Sequence, residues 1–124
     1  MDSRNGSQEN KRKFPRVRLS LPANMRVLLP NQDQQYYSLN TTTLGYGGVS
    51  VISPVPLKAG TPVEITITNF MDQITFTAEV TWARNDPKKT GTHVGLKITQ
   101  IPDENMVKII QLVDSNLANS SPLA

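Results

Sequence analysis

The chain has 124 residues, 13 basic against 10 acidic side chains, a net charge of +3 and no cysteine. That length holds one domain and leaves no room for a second core. The missing cysteines exclude a disulfide scaffold, a thiolate metal site and a cysteine nucleophile, and fit a reducing cytoplasm.

In chain order, residues 1–10 (MDSRNGSQEN) are polar after Met1 and read as a disordered tail without the apolar stretch of a signal peptide. No apolar run approaches the ~20 residues of a membrane span, so a soluble, cytoplasmic protein with no membrane insertion is expected. Four of the 13 basic residues then fall between Lys11 and Arg16, with Arg18 just beyond. Such a cluster is a solvated tail, a nucleic-acid arm or a pocket for a phosphorylated ligand. Nucleic acid is disfavoured by the scattered acidic residues, by only seven aromatics and by the lack of a second basic face.

Met25, Val27 and Leu29 alternate with Arg26 and Leu28, which predicts a strand closed by Pro30. Asn31-Gln32-Asp33-Gln34-Gln35 reads as a turn. A second strand runs over 36–43 and ends in a glycine-rich corner, Gly45-Tyr46-Gly47-Gly48. A third starts at Val49 and is stopped by Pro54 and Pro56. Val63, Ile65 and Ile67 form a half-buried strand. Ile74, Phe76, Ala78, Val80 and Trp82 alternate with threonines and Glu79 in a fifth, which places Trp82 in the core or at an interface. After the loop at Asn85-Asp86-Pro87-Lys88-Lys89, Val94, Leu96 and Ile98 make the sixth. The period then changes: Met106, Ile109, Ile110, Val113 and Leu117 predict an amphipathic helix over 103–117, with Pro102 and Asp103 in its first turn. Residues 118–124 read as a frayed tail. Six strands joined by turns and followed by one helix predict an all-β-dominated antiparallel barrel or sandwich. The helix caps one end or flank, or offers a surface to a partner.

Catalytic chemistry has little to build on, and no enzyme is expected. His93 is the only histidine, and alternation with Val94 turns it to the solvent side of its strand. No carboxylate dyad is spaced for catalysis. The glycine corner leads into a strand rather than a helix, which fails the phosphate-loop pattern. With one histidine and no cysteine, no metal site and no cofactor are expected.

The basic segment holds more chemistry. In Lys11-Arg12-Lys13-Phe14-Pro15-Arg16 two arginines stand four apart, and Pro15 holds Phe14 extended. A guanidinium fork can bind two acceptors at once, such as the O6/N7 edge of guanine or two phosphate oxygens, and can stack on a purine.

The order of R-x-x-x-R, a strand, the corner T-L-G-Y-G-G-V-S-V, a Trp-bearing strand, V-G-L-K-I and a final helix resembles the PilZ domain across residues 11–117. The resemblance implies a six-stranded antiparallel β-barrel with a C-terminal helix that binds cyclic di-GMP. Arg12 and Arg16 would be its ligand-gripping arginines. The family's second motif, D/N-x-S-x-x-G, fits in one register with Thr43, Gly45 and Gly48, which preserves the boundary of the strand that follows. A second register, Asn40-x-Thr42-x-x-Gly45, keeps the polar chemistry but needs a bulge or a longer corner. In either, a group that pairs with a guanine edge is altered or displaced, at about 1–3 kcal/mol for each lost contact. Arg84, just beyond Trp82 at the end of its strand, reads as surface, with a place flanking the ligand as the alternative.

Two functions follow from the resemblance. One is a cyclic di-GMP effector whose arginine segment reorders to regulate an unidentified protein partner in motility, adhesion or biofilm processes. The other is an adaptor of the same fold that does not bind the ligand and acts through protein contacts. Nucleic-acid binding by the basic arm would instead show steep salt dependence and indifference to guanine dinucleotides.

Overall fold

The computed structural model describes residues 15–30, 35–85 and 91–119. The expected tail over 1–10, residues 120–124 of the tail expected over 118–124, Arg12 with the rest of 11–14, and most of the turn at 31–35 and the loop at 85–89 lie outside the described residues.

Seven strands and one helix follow in order: β1 (Arg16–Arg18), β2 (Pro22–Val27), β3 (Tyr36–Gly45), β4 (Gly48–Ser53), β5 (Pro62–Asn69), β6 (Asp72–Asn85), β7 (Thr92–Gln100) and α1 (Asp103–Asn119). Antiparallel pairing runs β3-β2-β5-β6-β7-β4, and β4 pairs back onto β3. The six strands close into a barrel, and β1 adds to it by pairing with β3 alone. The sequence pattern marks those six strands and misses β1, because three residues are too few to display alternation. β1 nonetheless has a buried centre, Val17, between exposed Arg16 and Arg18.

β1 and β2 share one edge of β3. The break between them is bridged by Thr41, a residue only 2% exposed. Its hydroxyl donates to the carbonyl of Leu19 and accepts from the amide of Leu21. A side chain thus takes over the ladder where the backbone leaves it, and the buried polar group has its partners.

The period-two runs predicted the inward residues well. Met25, Val49, Val51, Val63, Ile65, Ile67, Ile74, Phe76, Ala78, Val80, Val94 and Leu96 all lie in the core. Helix α1 packs on β1, β3 and β6, and Ile109 and Val113 close the barrel from it with 0% exposure. Asp103 and Glu104 sit in its first turn, where carboxylates meet the unpaired amides, and the Pro102 carbonyl accepts from Asn105 and Met106. The helix extends two residues past the expected 117. Leu117 is 38% exposed and Leu112 packs on the core in its stead. Among the described residues no helix is long and apolar enough to cross a membrane.

Candidate functional site

Strand β1 carries Arg16 to the corner between β3 and β4. Arg16 lies opposite Gly45, Val17 opposite Leu44 and Arg18 opposite Thr43, so burial of Val17 turns both arginines outward. The Arg16 stem crosses Gly45, where a Cβ would stand 3.2 Å from its Cγ. Its guanidinium extends to Gly48, with Nη2 3.6 Å from the position of a Cβ there, and Nη1 donates to Thr43 Oγ1 at 3.4 Å. Gly48 is itself pressed on β7. A Cβ would fall 2.7 Å from the Leu96 carbonyl oxygen, which is backbone and cannot swing away, so the position admits only glycine.

Two bulges shape the barrel's outer face beside this corner. The β3–β4 register shifts between Thr41 and Thr43, and the β6–β7 register shifts between Val80 and Trp82. Each inserts one residue and reverses the alternation. At the first, Thr42 and Thr43 both face outward, and both hydroxyls bond Ser50 Oγ at 2.6 Å. At the second, Trp82 leaves the inward face on which period-two reading placed it. It lies instead opposite Gly95 on the outside, half-buried. One row of directly opposed residues therefore crosses four strands: Thr43, Ser50, Gly95, Trp82.

The next row along reads Asn40, Ile52, His93, Arg84. His93 is not the plain solvent-facing residue expected from alternation. It is half-buried, its Nε2 is 3.1 Å from Thr42 Oγ1, and its ring meets Trp82 edge-on at 5.0 Å between centroids. Arg84 packs over the indole at 5.3 Å, so its surface position is also part of this cluster. On the other side of the corner, exposed Lys97 lies opposite Gly48 and Glu79. Arg16, Arg18, Arg84 and Lys97 give the face a positive character suited to an anionic ligand.

Of the residues singled out from sequence, the fold brings Arg16, Thr43, Gly45 and Gly48 together, while Asn40 stands apart in the His93 row and Arg12 lies outside the described residues. β4 starts at Gly48, the boundary that the first motif register assumes. The bulge that the second register needs is also present, at Thr42. Trp82 reaches this face through the β6 bulge, which alternation does not display, whereas Ser50 and His93 take the outer side that alternation gives them and gain their place from contacts with Thr42, Thr43 and Trp82. Among the described residues no three His, Asp or Glu side chains group to hold a metal ion.

The corner is tied to the helix. Tyr46, between Gly45 and Gly47, donates its phenol proton to Asp114 of α1. That hydrogen bond raises the Tyr46 pKa above its ordinary 10.0, with burial and the carboxylate charge acting in the same direction.

The family model for the PilZ domain matches residues 10–115. The chain belongs to the PilZ domain family. No curated protein matches it in sequence. Solved PilZ structures share its fold at low identity. The PilZ domain of YcgR from Escherichia coli, described with c-di-GMP, superposes with a TM-score of 0.68 at 15% identity, covering 89% of this chain and 94% of that one. The Bacillus subtilis inhibitor of motility, MotI/DgrA, gives 0.74 at 18% identity over 89% of this chain and 53% of its own, so this PilZ domain spans about half of that protein's length. A tetrameric PilZ protein from Xanthomonas campestris gives 0.60 at 10% identity over 96% and 98%. At these identities the likeness establishes the fold.

Proposed function

We propose that this PilZ domain is a cyclic di-GMP receptor that holds the ligand on the outer face between β1, the β3–β4 corner and Trp82. The observation that carries the reading is the posture of Arg16, spread over Gly45 and Gly48 with Thr43 beneath it. A planar fork above a side-chain-free corner leaves room for a flat, charged ligand. With Arg84 swung off the indole it now covers, Trp82 would offer a face for a purine, worth about 1–3 kcal/mol by analogy with base stacking on aromatic platforms. Arg12, four residues earlier on the same segment, would supply the second fork. The YcgR domain described with c-di-GMP lends the ligand's identity. Occupancy would reorder the arginine segment and alter what a protein partner meets, because α1 packs on β1. A cysteine-free chain suits the reducing cytoplasm in which such a receptor works, and this binding role involves no nucleic acid, no cofactor and no catalysis.

The test is a titration of the parent and of Arg16→Ala with cyclic di-GMP. The expected result is saturable binding that Arg16→Ala weakens by at least tenfold, the scale of one charged hydrogen bond. Equal affinities would overturn the reading. One observation favours the alternative, an adaptor working through protein contacts: the Thr43 hydroxyl is already engaged by Ser50 and Arg16. That alternative requires that neither protein bind.

A further inference from the structure

The turn between β5 and β6 departs from the chemistry its geometry favours. Asn69 and Asp72 pair directly, so Phe70 and Met71 are a two-residue hairpin loop. Phe70 has a φ of 59°, the single positive-φ non-glycine among the described residues. A positive φ at the first loop position alone is the type II′ pattern, for which glycine is the natural occupant. An aromatic side chain there is strained by contact of its Cβ with the backbone. Nothing in the fold recovers that strain, since Phe70 is 94% and Met71 97% exposed. The barrel would close as well with Gly-Asn at this place, so the two apolar side chains answer to something outside the chain.

Beside this tip lies a matching recess. A cleft of about 170 Å³ between the hairpin base and α1 is lined by apolar Ile74 and Leu112 and by polar Asn69, Asp72, Lys108, Gln111 and Ser115. Its size suits one ring, given that a cavity of about 150 Å³ accepts benzene. Knob and recess sit side by side, because the cleft begins at the two residues that flank the tip. That is the arrangement a two-fold interface requires, with one patch carrying both halves of the contact.

We propose that the β5–β6 tip is a self-association site at which Phe70 of each copy seats in the cleft beside the hairpin of a second copy, with Met71 packed at the edge of that cleft. Charge supports a second copy over a lipid surface. The ionic groups lining the cleft are Asp72 and Lys108, paired with each other at 2.9 Å, so the patch is neutral and lacks the Lys/Arg excess that draws a loop to anionic lipid. Val107, 52% exposed and one helical turn from Gln111, extends the apolar area. Each aromatic buries roughly 150–250 Å², so the pair stays below the ~1,200 Å² of a standard interface and is weak and reversible. The tip is ten residues of β6 away from Trp82, which leaves the ligand face open; the proposal does not depend on ligand binding.

Sedimentation velocity across low to high micromolar protein tests it. The expected result is a monomer–dimer equilibrium for the parent. The double variant Phe70→Gly, Met71→Asn, which installs the favoured turn, should remain monomeric throughout with an unchanged or raised Tm. Because the chain has no cysteine, mixing Met71→Cys with Gln111→Cys under oxidation should trap a disulfide-linked pair of unlike copies. A parent that is monomeric at every concentration overturns the proposal, as does a dimer that survives the double variant. Tip-dependent binding of a monomer to vesicles of anionic lipid would also overturn it, in favour of a membrane.

Discussion

The indole of Trp82 lies so close against Gly95 on the neighbouring strand that a Cβ at Gly95 would fall 2.1 Å from Nε1 and 2.3 Å from Cε2. His93 borders the ring on one side and Arg84 covers it on another, so the missing side chain of Gly95 is what lets the indole lie on the sheet. Gly95→Ala is expected to lift the ring, at a cost of about 1–3 kcal/mol in stability if the neighbours resist. Trp82 is the only tryptophan, so its emission reports the displacement directly. Cyclic di-GMP affinity should fall about tenfold. Unchanged emission and affinity would remove Trp82 from the ligand face.

In the motif register that closes on Gly48, Thr43 would stand where the family carries Asp or Asn, and its Oγ1 is 3.4 Å from Arg16 Nη1. Thr43→Asp would give Arg16 a charged acceptor and the ligand's guanine edge a carboxylate. The expected gain is about 1 kcal/mol, roughly fivefold in Kd, the difference between a neutral and a charge-assisted hydrogen bond. Weaker binding would mean that this position faces the phosphates.

The Tyr46–Asp114 contact predicts an alkaline pH dependence. The phenol's pKa is raised in the folded chain, so the contact's contribution to stability is fully present below the ordinary value of 10.0 and is lost as pH climbs through the raised folded value. Asp114→Asn removes the charged acceptor and should return the Tyr46 titration toward 10.0, seen as tyrosinate absorbance appearing at lower pH. An unshifted titration would contradict a hydrogen bond from corner to helix.

Ile109 closes the barrel from α1 with 0% exposure. Ile109→Ala is expected to lower the free energy of unfolding by about 2–5 kcal/mol, the transfer and cavity terms together. Denaturant titration measures it, and a loss below ~1 kcal/mol would show the helix to be an attachment rather than part of the core.

Much of this fold is legible in the residues. Strands such as β5 alternate over eight residues without interruption, and the change of period at Pro102 separates barrel from helix. What sequence does not display is insertion by one. The bulges at Thr42 and between Val80 and Trp82 leave composition untouched, yet each moves every later side chain to the other face. Trp82 was therefore expected in the core or at an interface, while it belongs to the outer face that holds Arg16; His93 is on the outer side that alternation gives it, half-buried by Thr42 and Trp82 rather than in solvent. Arg16, Thr43, Gly45 and Gly48 were legible because a motif and its spacing carry them. Ser50 had no such signal: a serine inside an apolar strand gains its meaning only from Thr42 and Thr43 opposite. β1 was hidden by its length, with one buried residue, Val17, to mark it.

The central claim is that the Arg16 face receives cyclic di-GMP. Calorimetric titration of the parent with cyclic di-GMP, beside GTP and a linear guanine dinucleotide, tests it most directly. The account predicts saturable heat for the cyclic ligand alone, with a stoichiometry that states how many molecules the face holds. Absence of heat together with unchanged amide NMR signals would contradict it and leave the adaptor reading in its place.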